Sequence, residues 1–140
     1  MIEIELYSKR DGVVQPQGGL NWGFSYGNVC TADAYIALTT EFFRNNPNFF
    51  PTHGNIINVT WDDSTMMELL LEGTQAINGL IYPKNLSSVG DKSVLGGYIR
   101  DRMGISLNHQ ITMRDLNNYG RNTVSVERIS EYEFIFDIHV

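Results

Sequence analysis

A mainly β domain of about seven strands and one or two short helices, closed into an antiparallel barrel, is the fold this sequence predicts. Three observations lead there. Apolar and polar residues alternate over several short stretches, most plainly over residues 123–129 and 132–138. Clusters of Gly, Asn, Asp and Ser separate these stretches at short intervals. The helical spacing of apolar residues is confined to one region, residues 81–121. No strand–helix–strand rhythm and no internal repeat is present, which argues against a parallel α/β sheet and against a solenoid. With 140 residues, 42% of them hydrophobic, the chain suits one domain over 1–140 and is too short for two of ordinary size. Closure into a barrel would remove exposed strand edges, with the helices plugging the openings.

In chain order, Ile2, Ile4 and Leu6 alternate with Glu3, Glu5 and Tyr7 in a strand with one buried face. A glycine-rich loop follows, in which Gly18, Gly19, Gly23 and Gly27 interrupt every regular period. Within it Trp22 reads as a core anchor, whereas Phe24, Ser25, Tyr26 and Asn28 mix rings with hydrogen-bonding groups and suit a contact surface. Residues 34–38 form a short strand, and Phe42, Phe43, Phe49 and Phe50 around Pro47 and Pro51 supply core and lid. Residues 56–61 and 66–72 alternate about Asp62-Asp63-Ser64 as a β-hairpin, and Asn78-Gly79 marks a second one. The paired acids at the first tip read as solvated turn residues.

Val94, Leu95, Tyr98, Ile99 and Met103 then lay one apolar stripe along a helix, with Arg100 and Asp101 turned away from it. Asp91 or Ser93 can cap its start and Gly104 can end it in a left-handed conformation. Gly96 and Gly97 each cost such a helix about 1 kcal/mol relative to Ala, a loss that close packing against a neighbouring strand would offset. Thr112 with Asp115 resembles a capping box for a second short helix, with Leu116 and Tyr119 inward and Gly120 closing it.

Charge is distributed unevenly. Six of the ten basic residues, Lys84, Lys92, Arg100, Arg102, Arg114 and Arg121, fall within 81–121 against Asp91, Asp101 and Asp115, so this region is positive in a chain of formal charge −6. An acidic chain does not bind nucleic acid by bulk electrostatics, so such binding must come from a local patch. The polar run 82–92 supplies amide, hydroxyl and ammonium groups of the kind that bond base edges and phosphates, among them Lys84, Asn85, Ser87, Ser88 and Lys92. Arg100, Arg102 and Arg121 could add phosphate contacts nearby. The single Cys30 excludes an intrachain disulfide and, with three scattered histidines, argues against a zinc site. No apolar run spans a membrane, and the opening residues alternate like a strand rather than a signal peptide; a cytoplasmic protein is the expectation.

Catalytic motifs are not found. A phospholipase-D-type nuclease needs His-x-Lys, and none of His53, His109 and His139 is so placed. The common metal-dependent nuclease core needs an acid two residues before a lysine, but Tyr7, Tyr82 and Gly90 occupy those positions before Lys9, Lys84 and Lys92. Neither a P-loop nor a dinucleotide fingerprint occurs. No metal, cofactor or enzyme activity of this domain's own is expected.

Six short motifs recur in a recognisable order: Gly19-Leu20-Asn21-Trp22-Gly23, Ala34-Tyr35-Ile36, Trp61-Asp62-Asp63, Tyr82-Pro83-Lys84, Leu95-Gly96-x-Tyr98-Ile99-Arg100-x-Arg102-x-Gly104 and Asp115-Leu116-x-x-Tyr119-Gly120-Arg121. Over nearly its whole length the chain resembles the C-terminal DNA-recognition domain of the NgoFVII-like restriction endonucleases. The resemblance implies an open pseudobarrel related to the plant B-three domain, with two arms that enter the major groove of double-stranded DNA and read a short sequence. Carried onto this chain, Phe24, Ser25, Tyr26 and Asn28 would form one arm and residues 84–92 the other. Relatives often have Gln after Asn-Trp-Gly and an arginine soon beyond; here Phe24 and Asn28 occupy that neighbourhood. In such proteins the nuclease is a separate domain, so a nuclease domain or subunit is an implied partner. The alternative function is a protein-interaction or assembly module on the same barrel that has lost DNA binding, which the acidic charge favours.

Overall fold

The computed structural model describes every residue except 28 and 29, so Asn28 lies outside the described residues. Its strands are β1 (Ile2–Glu5), β2 (Ile36–Ala37), β3 (Ile56–Trp61), β4 (Met66–Glu72), β5 (Gln75–Ile77), β6 (Leu80–Tyr82), β7 (Asn85–Ser88), β8 (Thr123–Arg128) and β9 (Glu133–Asp137). The helices are α1 (Thr40–Asn45), α2 (Lys92–Met103), α3 (Met113–Tyr119) and a 3-10 segment, Gly19–Phe24. Seven strands make one sheet in the order β1-β8-β9-β3-β4-β7-β2, while β5 and β6 form a separate hairpin.

Alternation decides which face is buried. Cross-strand register brings Ile4 opposite Val124, Val59 opposite Phe134 and Trp61 opposite Phe136, and all six lie in the core. The sheet curls around this core until its outermost strands, β1 and β2, line a common cleft of about 550 Å3 with Tyr7, Thr39 and Phe42. Lys9 closes part of that seam through Glu41 on α1, at 3.2 Å. A nearly closed pseudobarrel results. α2 sends Leu95 and Ile99 into the core and packs the Tyr98 ring at a tilt against Trp61, with centroids 4.8 Å apart. Elsewhere Phe49 and Phe50 pack against Phe134, at 5.4 and 5.1 Å, so aromatic residues outside the sheet complete the core. Among the described residues no helix is long and apolar enough to cross a membrane.

Several elements meet the sequence expectations residue by residue. The hairpin turn at Asn78-Gly79 has positive φ at both central positions, 52° and 81°. Asp91 caps α2 by accepting from the Ser93 N–H at 2.9 Å, and Gly104 ends it at φ 71°. Thr112 and Asp115 make the reciprocal capping box of α3.

Other elements depart from them. The glycine-rich loop contains a 3-10 segment kinked at Asn21. α1 was not expected; Thr39 starts it by accepting from the Phe42 N–H at 3.1 Å, which lets Phe42 and Phe43 face inward. The polar run 82–92 is not one long loop, because β7 lies within it, hydrogen-bonded between β4 and β2. The sheet is not wholly antiparallel either, since β3 and β9 run parallel. On α2, Val94 is exposed rather than part of the apolar stripe, and Arg100 points inward rather than away.

Candidate nucleic-acid interface

The first expected arm grows from a root held by polar groups. Asn21 is fully buried, and its side chain forms a two-way bridge to the backbone of Ile111: Nδ2 donates to the carbonyl at 2.8 Å and Oδ1 accepts from the N–H at 2.8 Å. Nδ2 also donates to the Gln15 carbonyl at 2.9 Å. Beyond it the Gly23 N–H donates to the Asp33 carbonyl at 2.8 Å, drawing the two stems of the loop together. The approach is so close that a Cβ on Gly23 would sit 2.2 Å from the Cys30 carbonyl oxygen. Trp22, the expected anchor, is half-buried with its ring 5.9 Å from that of Tyr35. From this stem Phe24 and Ser25 emerge half-buried, while Tyr26 is fully exposed.

The second expected arm is built differently. Lys84 is exposed, its stem packed against Gly73, and Asn85 is half-buried on the outer face of β7. Ser87 and Ser88 are 1% and 4% exposed, with their hydroxyls engaged by the protein itself. Ser87 donates to Glu72, and Ser88 donates to the Asp91 carbonyl at 2.5 Å while accepting from the Leu95 N–H at 3.0 Å. Lys92 folds back over β7 to pair with Glu72 and to reach Ser87 at 3.2 Å. Burial raises the pKa of the Glu72 carboxyl, but bonds from Lys92 and Ser87 outweigh it and leave the group below its usual range.

The two regions share one edge of the barrel. The Ala34 N–H donates to the Lys92 carbonyl at 3.2 Å and the Leu38 N–H to the Lys84 carbonyl at 2.8 Å, so β2 runs alongside β7. The stem of the first loop therefore adjoins Lys92, and Lys84 lies at the far end of β7. Between the first loop and α2 the packing depends on Gly96, whose added Cβ would fall 1.7 Å from the Ala32 carbonyl oxygen. This confirms that Gly96 serves close packing, although against a loop stem rather than a strand.

The three arginines expected at phosphates are all engaged by the protein itself, Arg100 buried and Arg102 and Arg121 partly exposed. Arg100 is 0% exposed and, among the described residues, donates to uncharged oxygens: the carbonyls of His109 at 3.1 Å, Gly96 at 3.3 Å and Leu20 at 3.0 Å, and Asn21 Oδ1 at 3.4 Å. In this position its guanidinium presents no surface to solvent. Arg102 grips Asp62 with two bonds, at 2.7 and 3.1 Å, and lies 3.6 Å from Asp63. Arg121 spans β1, β8 and the C-terminal strand through Glu3, Ser125 and Asp137. Of the positive region, Lys84 and Arg114 remain exposed without a carboxylate partner among the described residues. The outer sheet face is acidic, with Glu3, Glu5, Glu127, Glu133 and Asp137 on β1, β8 and β9, so it would repel phosphates.

Asp62, Asp137 and His139 each bring one potential metal-ligand atom within 4.8 Å of the others. These carboxylates are already taken up by Arg102, Arg121 and the backbone N–H groups of Ile138 and His139. The Arg100–Asn21 pair was not visible in the sequence as a site.

The chain belongs to the family described as the NgoFVII C-terminal B3-like DNA-binding domain, whose model matches residues 1–130. No curated protein matches the chain.

Proposed function

We propose that this chain reads a short sequence in double-stranded DNA as the target-recognition domain or subunit of a restriction endonuclease, with cleavage performed by a nuclease domain or subunit elsewhere. Membership of a B3-like DNA-binding family supports DNA as the ligand. The observation that carries the sequence-reading role is the loop after Gly23, which holds Tyr26 in solvent on a stem fixed by buried hydrogen bonds. Phe24, Ser25, Tyr26 and Asn28 form one contact set in this reading. Lys84, Asn85 and Lys92 form the other, with Lys92 exchanging Glu72 for phosphate. That exchange is inexpensive, because an ion pair whose side chains are 35% and 32% exposed contributes little.

Selection of bound duplexes from a random pool tests the proposal directly, and recovery of a shared short sequence is the expected result. Random duplex should bind weakly, with an affinity that falls steeply with salt. Tyr26→Ala should weaken the selected duplex roughly tenfold, and Lys84→Ala with Lys92→Ala should lower the salt slope by about 2 while the fold is retained. One observation favours the alternative of a protein-interaction module: Lys92, Arg100, Arg102 and Arg121 are all engaged within the protein. Absence of any duplex binding at low salt would select that alternative.

A further inference from the structure

A buried guanidinium normally faces a carboxylate, because leaving its charge uncompensated away from water is costly. Among the described residues Arg100 has no such partner: its bonds there go to neutral oxygens, and burial pulls its pKa down. What the arrangement provides is geometric. The acceptors belong to three segments: α2 itself at Gly96, the stretch just after it at His109, and, 80 residues away in sequence, the 3-10 root of the first loop at Leu20 with its neighbour Asn21. Asn21 extends the same network to Gln15 and Ile111. None of these atoms belongs to the barrel strands.

We infer that Arg100, acting with Asn21, is a positioning residue for DNA recognition: it sets where the loop bearing Tyr26 stands relative to the start of α2, and so governs discrimination between sequences without touching the duplex. The inference rests on the proposed DNA-reading function. Three features support it. The network ties the loop to the helix that begins at Lys92, so it fixes the spacing between the two proposed contact sets. Gly96, which accepts from Arg100, is also the residue against which the returning loop stem at Ala32 is pressed. A contact displaced by a fraction of its bonding range loses the directional bonds that distinguish bases but keeps most of its attraction to phosphate.

The test uses the full chain as Arg100→Met, Arg100→Lys and, as a control, Leu95→Ala. Leu95 is a fully buried α2 residue whose truncation destabilises the core without touching the network. Amide exchange is followed at Gly23 and Ser25, whose N–H groups bond the Asp33 and Trp22 carbonyls, and at the β3–β4 ladder. Affinity is measured for the selected duplex and for a scrambled one. Arg100→Met is expected to speed exchange at Gly23 and Ser25 while the ladder stays protected. It should also lower the ratio of selected to scrambled affinity roughly tenfold, the scale of one directional base contact, with Arg100→Lys between it and the parent. Leu95→Ala should leave the ratio unchanged. Should Arg100→Met fail to fold, the same comparison with Arg100→Lys decides. Unchanged exchange at Gly23 and Ser25, or a fall in the ratio matched by Leu95→Ala, would overturn the inference. A parent chain that prefers no duplex would defeat the proposed function and the recognition role together, while the exchange data would still report whether Arg100 holds the loop.

Discussion

Gly96→Ala is expected to destabilise the domain by about 3 kcal/mol or more, and Gly97→Ala, one residue along the same helix, to stabilise it by about 0.5–1 kcal/mol. Intrinsic propensity favours alanine equally at both positions, so the difference isolates packing. At Gly96 the new methyl would stand 1.7 Å from the Ala32 carbonyl oxygen and 2.9 Å from the Ala34 Cβ, and the first obstacle is backbone that cannot rotate aside. Either α2 or the loop stem must move, and α2 is held by Leu95 and Ile99 in the core. At Gly97 the nearest atom is the Leu107 Cδ2 at 3.5 Å, an ordinary contact. Urea denaturation of the two variants should therefore move the midpoint in opposite directions, with thermal midpoints following by roughly 3 °C per kcal/mol. A tolerated Gly96→Ala would mean that the stem does not press on α2.

Arg102→Ala is expected to cost about 2–3 kcal/mol and to make stability less sensitive to acid. Arg102 sits 16% exposed, bidentate to an Asp62 side chain that is 17% exposed, and its pair joins the β3–β4 turn to α2. Asp62 also accepts from the Ile138 N–H at 3.0 Å, which ties in the segment after β9. Burial tends to raise the pKa of Asp62, but the Arg102 and Ile138 bonds prevail and hold it below the ordinary aspartate value. A depressed folded pKa contributes stability that is fully present above the unfolded value, near 3.8. That contribution is lost as pH falls through the lower folded value. Asp115 and Asp137 are shifted the same way, each against its burial, through bonds from Thr112 and His109 and from His139 respectively. The parent domain should lose stability between about pH 5 and pH 2, and Arg102→Ala should lose a smaller increment over that range because less of it depends on Asp62. Chemical unfolding at pH 6 and pH 3 measures both changes; equal acid dependence in the two proteins would refute the role given to Arg102.

The fold was legible where one residue type decides local structure. Strict alternation marked β8 and β9, Asn78-Gly79 marked a turn needing positive φ twice, and Thr112 with Asp115 marked a helix start. β7 was missed because Asn85, Ser87 and Ser88 read as polar loop. They are tolerated in a sheet because Glu72, Lys92 and the Asp91 carbonyl satisfy the serine hydroxyls, and those partners come from tertiary structure. The parallel β3–β9 pairing was missed for a related reason, since short connections foretell only which neighbours pair antiparallel. Likewise, composition revealed the positive sign of residues 81–121 but not that Glu72, Asp62 and Glu3 would meet its cations. The exposure of Tyr26 was readable, because an aromatic ring in a glycine-rich stretch beyond an anchored Trp22 has little core to join.

β9 lies between β8 and β3, and its pairing places Phe134 beside Val59 with more than half of the chain between them. Until those last strand residues leave the ribosome, β1 and β8 have no hydrogen-bonded route to β3, β4, β7 and β2, so the nascent polypeptide holds two separate half-sheets with open borders. Emergence of β9, rather than of any earlier helix or hairpin, is the step that joins the two half-sheets, and the long loop it closes is expected to slow folding. During that interval the uncovered rims of the half-sheets are the surfaces most open to mispairing with other chains.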